Sequence, residues 1–410
     1  MEPNDSAFRN PYRFVILIVC ILAVFAAIGL ARFGFSMLLP LMQEHFDFDP
    51  VLAGSLGTAN LAGYLIASLV GGIIAAKTSP RVVIAVSLLL VAFSMLVTGL
   101  VNNSWLLLLG RFFTGLGSGG ANVVAMALLS TWFAKKWRGI ASGFAVTGSS
   151  LGLAVSGIVV PWFAVAFTPE GFRLSWVLFS IITFVIFILG AVFLRKNSLN
   201  DTASPPDNNE QQQKPKARIL NVIINPNLWL FGTLYFFFGF AYIIFAHFFG
   251  VYLQADAGFS PVQSGNLWSL VGIVSVGSGF IWGFVSDMIG RKQALCIIYA
   301  IHAGAFFLFG FSGSPGLLVF SAVLYGITAW SIPAIMAAAA GDLFGPGAVQ
   351  IGFGAMTFLF GIGQAIGPVV GGAIAKAAGS YSHAFIVASG VSVVGLLLLL
   401  AVIFLGKRKI

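Results

Sequence analysis

Twelve stretches of apolar residues, each long enough to cross a bilayer as a helix, recur along this chain of 410 residues. A spanning helix needs about 20 mostly apolar residues, because lipid offers no partner to a bare backbone N–H or C=O. The stretches run over 14–42, 51–76, 81–101, 105–132, 139–165, 174–194, 227–254, 261–284, 293–312, 316–341, 348–375 and 383–406. They define an all-α membrane protein. Only 8% of residues are charged and mean hydropathy is +1.00, whereas a soluble domain carries about 25% charged residues. The first stretch runs past Leu38 with no small-residue cleavage site after a short core, so it reads as a span and not as a signal peptide.

Most connections between spans are short. The exception, 195–226, holds Ser204-Pro205-Pro206-Asp207-Asn208-Asn209-Glu210 and three glutamines, a polar run with no face to bury, and reads as a linker. The expected domains are a six-helix bundle over 1–194, the linker over 195–226 and a second six-helix bundle over 227–410. The halves also match in sequence. A shift of 211 residues pairs Phe48-Asp49-Pro50-Val51 with Phe259-Ser260-Pro261-Val262, Gly54 with Gly265, Gly72 with Gly283, Gly143 with Gly354 and Gly152 with Gly363. Two parallel six-helix pseudo-repeats around a central loop are a transporter layout, with the substrate site expected between them near mid-bilayer.

The net charge of +9 is a topology signal. Of 21 Lys and Arg residues, all but Arg32, Arg111, Arg173 and Lys376 fall at the termini or in the loops on the same side of the membrane. By the positive-inside rule both termini are cytoplasmic. The partner this implies is the lipid bilayer, not nucleic acid. Cys20 and Cys296 both lie in apolar stretches far apart in the chain and form no CxxC or metal-ligand pattern. No Walker loop, dinucleotide loop or nucleophile–base set is present, so neither an enzyme nor a cofactor is expected.

The loop after the eighth span reads Gly283-Phe284-Val285-Ser286-Asp287-Met288-Ile289-Gly290-Arg291-Lys292. It resembles the G-x-x-x-D-x-x-G-R-K/R loop signature of the major facilitator superfamily. Its expected role is a gate latch, in which Asp287 pairs with Arg291 or a helix terminus in one state only. The matching first-half loop, Gly72 through Arg81, lacks the Asp. Arg111-Phe112-Phe113-Thr114-Gly115-Leu116-Gly117 resembles the family's R-x-x-x-G-x-G motif, which implies a structural or gating role for Arg111. Gly363 to Gly372 resembles a G-x-x-x-G-P-x-x-G-G pattern, but in the eleventh span and not the fifth, so antiport does not follow from it. Its glycines are read as helix-packing positions. A narrower resemblance, to the bacterial YbfB/YjiJ-like group, rests on Gly29-Leu30-Ala31-Arg32-Phe33, Pro40-Leu41-Met42, Asn60-Leu61-Ala62-Gly63-Tyr64 and Phe360 to Pro368.

Apart from Arg81, the first residue of its stretch, Arg32 and Arg111 are the only Lys or Arg residues inside spans, and no acidic residue lies in one. An arginine at a helix centre costs roughly 2.5–3.5 kcal/mol on insertion scales, so an unneutralised one points to an anion. The resemblance implies a cavity lined by spans 1, 2, 4, 5, 7, 8, 10 and 11. The spacing of Arg32 to Pro40 is similar to that in organophosphate and organic-anion antiporters, where such an Arg binds the anion. Arg32 is read as a guanidinium fork for a carboxylate or other oxyanion, against snorkelling or bonding to backbone carbonyls. Asn60, Tyr64, Asn122, Tyr242 and Gln364 are candidate substrate contacts, each weighed against helix–helix hydrogen bonding. His247 is a candidate contact and the proton-coupling candidate. His302 is read as structural, and Phe35, Phe238 and Trp330 as possible cavity aromatics.

The expected function is secondary transport of a small organic anion such as a monocarboxylate, by alternating access with protons or by exchange, acting as a monomer. The alternatives are efflux of hydrophobic compounds, which the many Phe residues suit, and a non-transporting membrane sensor on the same fold.

Overall fold

The computed structural model describes residues 11–133, 137–195 and 221–406, all built from helices and the turns between them. In chain order these are α1 (Tyr12–Phe46), α2 (Pro50–Lys77), α3 (Pro80–Leu100), α4 (Ser104–Trp132), α5 (Arg138–Ala166) and α6 (Gly171–Phe193). Then come α7 (Pro226–Ala255), α8 (Pro261–Ser275 continued by Ser278–Ile289), α9 (Arg291–Phe311), α10 (Pro315–Phe344), α11 (Ala348–Ala378) and α12 (Ser382–Gly406). Eleven are long and apolar enough to cross a membrane as they stand, and α8 makes twelve when its two pieces count as one span.

Local sequence sets the helix starts. Proline opens α2, α3, α7, α8 and α10, where its missing N–H leaves no orphan and its φ is already helical. The repeated Phe-Asp/Ser-Pro-Val is a cap written twice. Asp49 Oδ1 accepts from the Leu52 N–H at 2.9 Å before α2. Ser260 and Gln263 form a reciprocal capping box before α8, at 2.9 and 3.2 Å. Asn103 does the same work for α4, accepting from the N–H groups of Trp105 and Leu106.

Three spans depart from the expected boundaries. The eighth, expected over 261–284, is two helices bent by 43° at Val276-Gly277. The tenth is interrupted by a turn over 327–330. Between the tenth and eleventh, where a loop was expected over 342–347, helical backbone runs unbroken from Ser331 to Ala378. Of the expected linker over 195–226, residues 196–220 lie outside the described residues, as do Lys135 and Lys136 and the terminal basic residues.

Packing groups the chain into two compact units, Met1–Ala203 with His247–Ile273, and Ser204–Ala246 with Val274–Ile410. In the first, Ile16, Val19, Cys20, Ala23, Ala26 and Ala27 of α1 pack on Val124, Ala125, Leu128 and Leu129 of α4 and Ala141 and Ala145 of α5. The apolar side chains left exposed, such as Phe93, Trp105, Phe184 and Phe311, belong to a lipid-facing surface.

Each unit repeats one seam. In the first, a Cβ on Gly152 of α5 would lie 2.2 Å from Gly29 Cα of α1. In the second, a Cβ on Gly363 of α11 would lie 3.1 Å from Phe240 N of α7, the same pair after the 211-residue shift. The α2–α4 seam is tighter still: a Cβ on Gly115 would fall 1.7 Å from the Asn60 carbonyl oxygen, and one on Gly63 2.1 Å from that of Phe112. Small residues let helix backbones touch where lipid gives no hydrophobic drive for association. Gly115→Ala therefore forces α2 and α4 apart, a strain of about 1–3 kcal/mol or more. Fluorescence-detected size exclusion after heating should show a clear loss of folded protein, while Gly304→Ala, with nothing within 4 Å of the added methyl, behaves like the parent chain.

Candidate functional site

Arg32 sits in a stretch of backbone that is not α-helical. Phe25–Phe33 forms nine residues of π-helix inside α1, flanked by α-helix on both sides. The wider π spiral is accommodated by small residues. Ala26, Ala27, Gly29 and Ala31 line the segment, and Gly29 lies directly against Gly148 and Gly152 of α5. The Gly34 N–H bonds Gly29 O, the five-residue spacing of this geometry.

Two side chains of α4 take up carbonyls of this segment. The Ser118 hydroxyl lies 2.6 Å from Ala27 O and also reaches Thr114 O at 2.7 Å. Arg111 Nη1 donates to Ala31 O at 2.8 Å. The Arg111 guanidinium also lies 4.0 Å from the ring centroid of Phe35 and 5.8 Å from that of Trp176. Arg111 is only 1% exposed and is held through Nη1 and two aromatic faces, while its Nε is buried with no hydrogen-bond partner. It acts as a clamp on α1.

Arg32 is 9% exposed. Its guanidinium carbon lies 5.5 Å from the ring of Phe33 and 5.3 Å from that of Tyr64 on α2. Tyr64 Oη in turn accepts from Asn122 Nδ2 of α4 at 2.9 Å. Three of the residues singled out in the sequence thus form one cluster on α1, α2 and α4. The glycine seam holds it in place, since Gly119 backs directly on the Tyr64 carbonyl. Arg32 and Arg111 are near enough for their charges to interact. The described acidic side chains of this unit, Glu44, Asp47, Asp49, Glu170 and Asp256, all stand at helix ends or in turns.

Asn60 and His247 are placed differently. Asn60 is buried and donates from Nδ2 to Arg111 O at 3.1 Å, tying α2 to α4. His247 Nε2 lies 2.9 Å from Ala53 O of α2, and its ring fills the space left by Gly57. It packs edge-on to Phe248 and tilted against Phe35, which is buried here and lines no opening. Ser36 and His247, the pair related by the 211-residue shift, meet through the Ser36 hydroxyl and the His247 carbonyl at 3.5 Å.

In the second unit, Gln364 donates to Tyr242 Oη, joining α11 to α7, and both are buried. Around them stands a stack of nearly parallel rings. Phe238 and Tyr242 are 4.7 Å apart, Tyr235 and Phe360 4.2 Å, and Phe238 and His302 of α9 5.7 Å. His302 is buried within this stack. Trp330 donates its backbone N–H to Ser278.

The loop motif forms an ion cluster between α8, α9 and α10. Arg291 pairs with Asp287 at 2.5 Å and with Asp342 of α10 at 2.9 Å, and donates to Ser286 Oγ at 2.6 Å. Both carboxylates are more than half exposed, so each contact contributes little alone. Gly290 has φ +97° and ψ 149°, a conformation open to glycine and strained for other residues. Gly283 has open space where a Cβ would stand, and Lys292 is half-buried at the first turn of α9.

Sequence reading missed the π segment, the Ser118 contact and the Asp342 arm of the cluster. The first had a signal in Ala26-Ala27-Ile28-Gly29-Leu30-Ala31, whose small residues allow a backbone to bulge against its neighbour. Asp342 lies 51 residues from Arg291, so no local pattern joins them.

Twelve apolar spans, counting the bent α8 as one, and a helix seam repeated in both units define a multi-pass membrane protein. The chain belongs to the major facilitator superfamily, in the family described as "Uncharacterised MFS-type transporter YbfB", whose model matches residues 24–400. It is 25% identical over 382 residues to a hexuronate transporter of Bacillus subtilis, covering 89% of this chain and 88% of that one. It is 30% identical over 189 residues to the 4-hydroxybenzoate transporter PcaK of Acinetobacter baylyi, covering 45% and 41%. Its fold is similar to that of a bacterial homolog of the human lysosomal transporter Spinster in an inward-facing and unoccupied conformation. The TM-score is 0.75 at 14% identity, over 96% of this chain and 95% of that one.

If α4 holds the π segment, Ser118→Ala should loosen it. Hydrogen bonds between membrane helices average about 0.6 kcal/mol with a maximum near 1.7. The expected result is a thermal midpoint lowered by a few degrees in detergent. A midpoint equal to that of Thr147→Ala, whose hydroxyl bonds only its own helix, would remove Ser118 from this role.

Proposed function

We propose that the protein is a secondary transporter of small organic carboxylates, with Arg32 as the residue that receives the carboxylate. One observation carries the reading: two buried guanidiniums stand side by side, Arg32 on a π-helical segment and Arg111 on α4, in a unit whose described acids all lie at helix ends. Two positive charges buried close together are expensive in a low-dielectric interior, and an incoming anion offsets that cost. The hexuronate and 4-hydroxybenzoate named for two relatives are carboxylates, which supports the same reading.

The rest of the reading follows the sequence. The six-helix halves over 1–194 and 227–410 would alternate access across the inner membrane, with both termini on the cytoplasmic side. The Arg291 cluster would latch one state, since its contacts join α8, α9 and α10. Coupling would run through His247, whose Nε2 is fixed by Ala53 O and whose other nitrogen is left to carry a proton. Exchange without protons is the other arm.

Purified protein in liposomes tests this directly. Arg32→Gln should weaken binding of benzoate or 4-hydroxybenzoate by about 10- to 150-fold, from the roughly 1.5–3 kcal/mol of a hydrogen bond to a charged group. Arg32→Lys should recover only part, having charge without the fork. Uptake of labelled carboxylate that is unchanged in Arg32→Gln would defeat the assignment. For coupling, His247→Gln should keep carboxylate exchange yet lose accumulation driven by a pH gradient; retained accumulation would leave exchange as the mechanism.

A further inference from the structure

We propose that the halves of α8 and α10 ending at the Arg291 cluster form one lever. It swings about two helix breaks that lie side by side and are coupled by the Ser278 hydroxyl. In a transporter, this lever would gate the path at that end of the fold.

Both helices are interrupted about halfway. α8 bends by 43° at Val276-Gly277, and Ser278–Ile289 follows the bend. α10 stops at Gly326, turns over 327–330 and resumes at Ser331. A Gly/Ser pair is one of the few usual causes of a sharp kink, and Gly277-Ser278 is such a pair. Broken backbone is tolerated inside a span only where other groups take up its freed donors and acceptors. Here the two breaks do this for each other. The Ser278 hydroxyl, 1% exposed, donates to Ser275 O at 2.9 Å and accepts the Trp330 N–H at 3.1 Å. Its one proton holds the bend of α8 and a lone pair holds the turn of α10. Trp282 Nε1 donates to Ile327 O at 2.9 Å and ties the same two elements again.

The far ends of these halves are joined as well, since Arg291 pairs with Asp287 of α8 and Asp342 of α10. The other halves are anchored elsewhere. Ser321 of α10 donates to Ala305 O of α9 at 2.6 Å, and Ser269 of α8 donates to Ala154 O of α5 at 2.8 Å. A pair of segments tied together at both ends, and joined to anchored halves through breaks, moves as one body. Gly277 fits a hinge and not a tight contact. Its φ is −93°, and an added Cβ would meet only Ile281 Cδ1, at 3.4 Å. Alanine therefore fits there and would stiffen the helix, because glycine leaves it more freedom.

Pulsed electron resonance on spin-label pairs tests this in the full chain in liposomes, with Cys20→Ala and Cys296→Ala. The label sites Met288 on α8, Ala337 on α10 and Leu397 on α12 are all exposed. The arm beyond the bend has 12 residues, about 18 Å, so a swing by half of the present 43° moves its tip about 7 Å. The parent should show two Met288–Leu397 distances separated by about that much, and one narrow Met288–Ala337 distance. Gly277→Ala should leave one Met288–Leu397 distance, with a thermal midpoint no lower than the parent's. Ser278→Ala, and Trp282→Phe as the milder change, should broaden Met288–Ala337. A single Met288–Leu397 distance in the parent overturns the proposal, as do two distances that survive Gly277→Ala. So does a Met288–Ala337 distribution that neither Ser278→Ala nor Trp282→Phe alters. These distances need no substrate, so failure of the carboxylate reading would appear in binding and uptake alone and leave the lever standing.

Discussion

The first unit depends on a mismatch between two helices. α1 widens into a π spiral for nine residues, and α4 supplies the donors that meet the carbonyls this exposes. Ala27 and Ala31 are one turn apart on α1, while Ser118 and Arg111 are two turns apart on α4. The donors can match because arginine is long and serine is short. Replacing either changes the reach by several ångströms and loses a bond. The same helix also holds α2, through Gly115, Gly119 and the bond from Asn60 to Arg111 O. α4 therefore positions both neighbours that carry the candidate site.

Two arginines that look alike in the sequence end in different surroundings. Arg111 meets a backbone carbonyl and aromatic faces, contacts that tie it to α1 as part of the scaffold. Arg32, on the π segment, lies over the ring of Tyr64.

Much of the fold is legible in the sequence because membrane helices obey one strong rule: backbone groups must be satisfied within the span. Length and hydropathy then mark the spans, and proline and cap residues mark their starts, as at Asp49-Pro50 and Ser260-Pro261. The same rule says little about where a helix may bend or run on. Hence the bend at Val276-Gly277 and the continuous helix through 342–347 were not foreseen. For the candidate site, residue type was readable and partnership was not. Tyr64, Asn122 and Arg32 stood out as polar groups in apolar spans, yet their meeting depends on glycines that bring α2 onto α4. Asn60 and Tyr242 stood out equally, and they bond across helices.

The repeated seam has an evolutionary consequence. In the first unit Gly148 of α5 lies against the backbone of α1 at Ile21, while in the second the equivalent pair is Leu359 over Gly232. The bulky and the small partner have changed helices between two copies of one ancestral unit. A chain passing from one arrangement to the other by single substitutions meets either two large residues, which collide, or two small ones, which leave a void. Voids are tolerated in a marginally stable protein more readily than backbone collisions are. The duplicated halves would then have diverged through a loosely packed ancestor, and a Gly–Gly pair at either seam would be its present-day reconstruction.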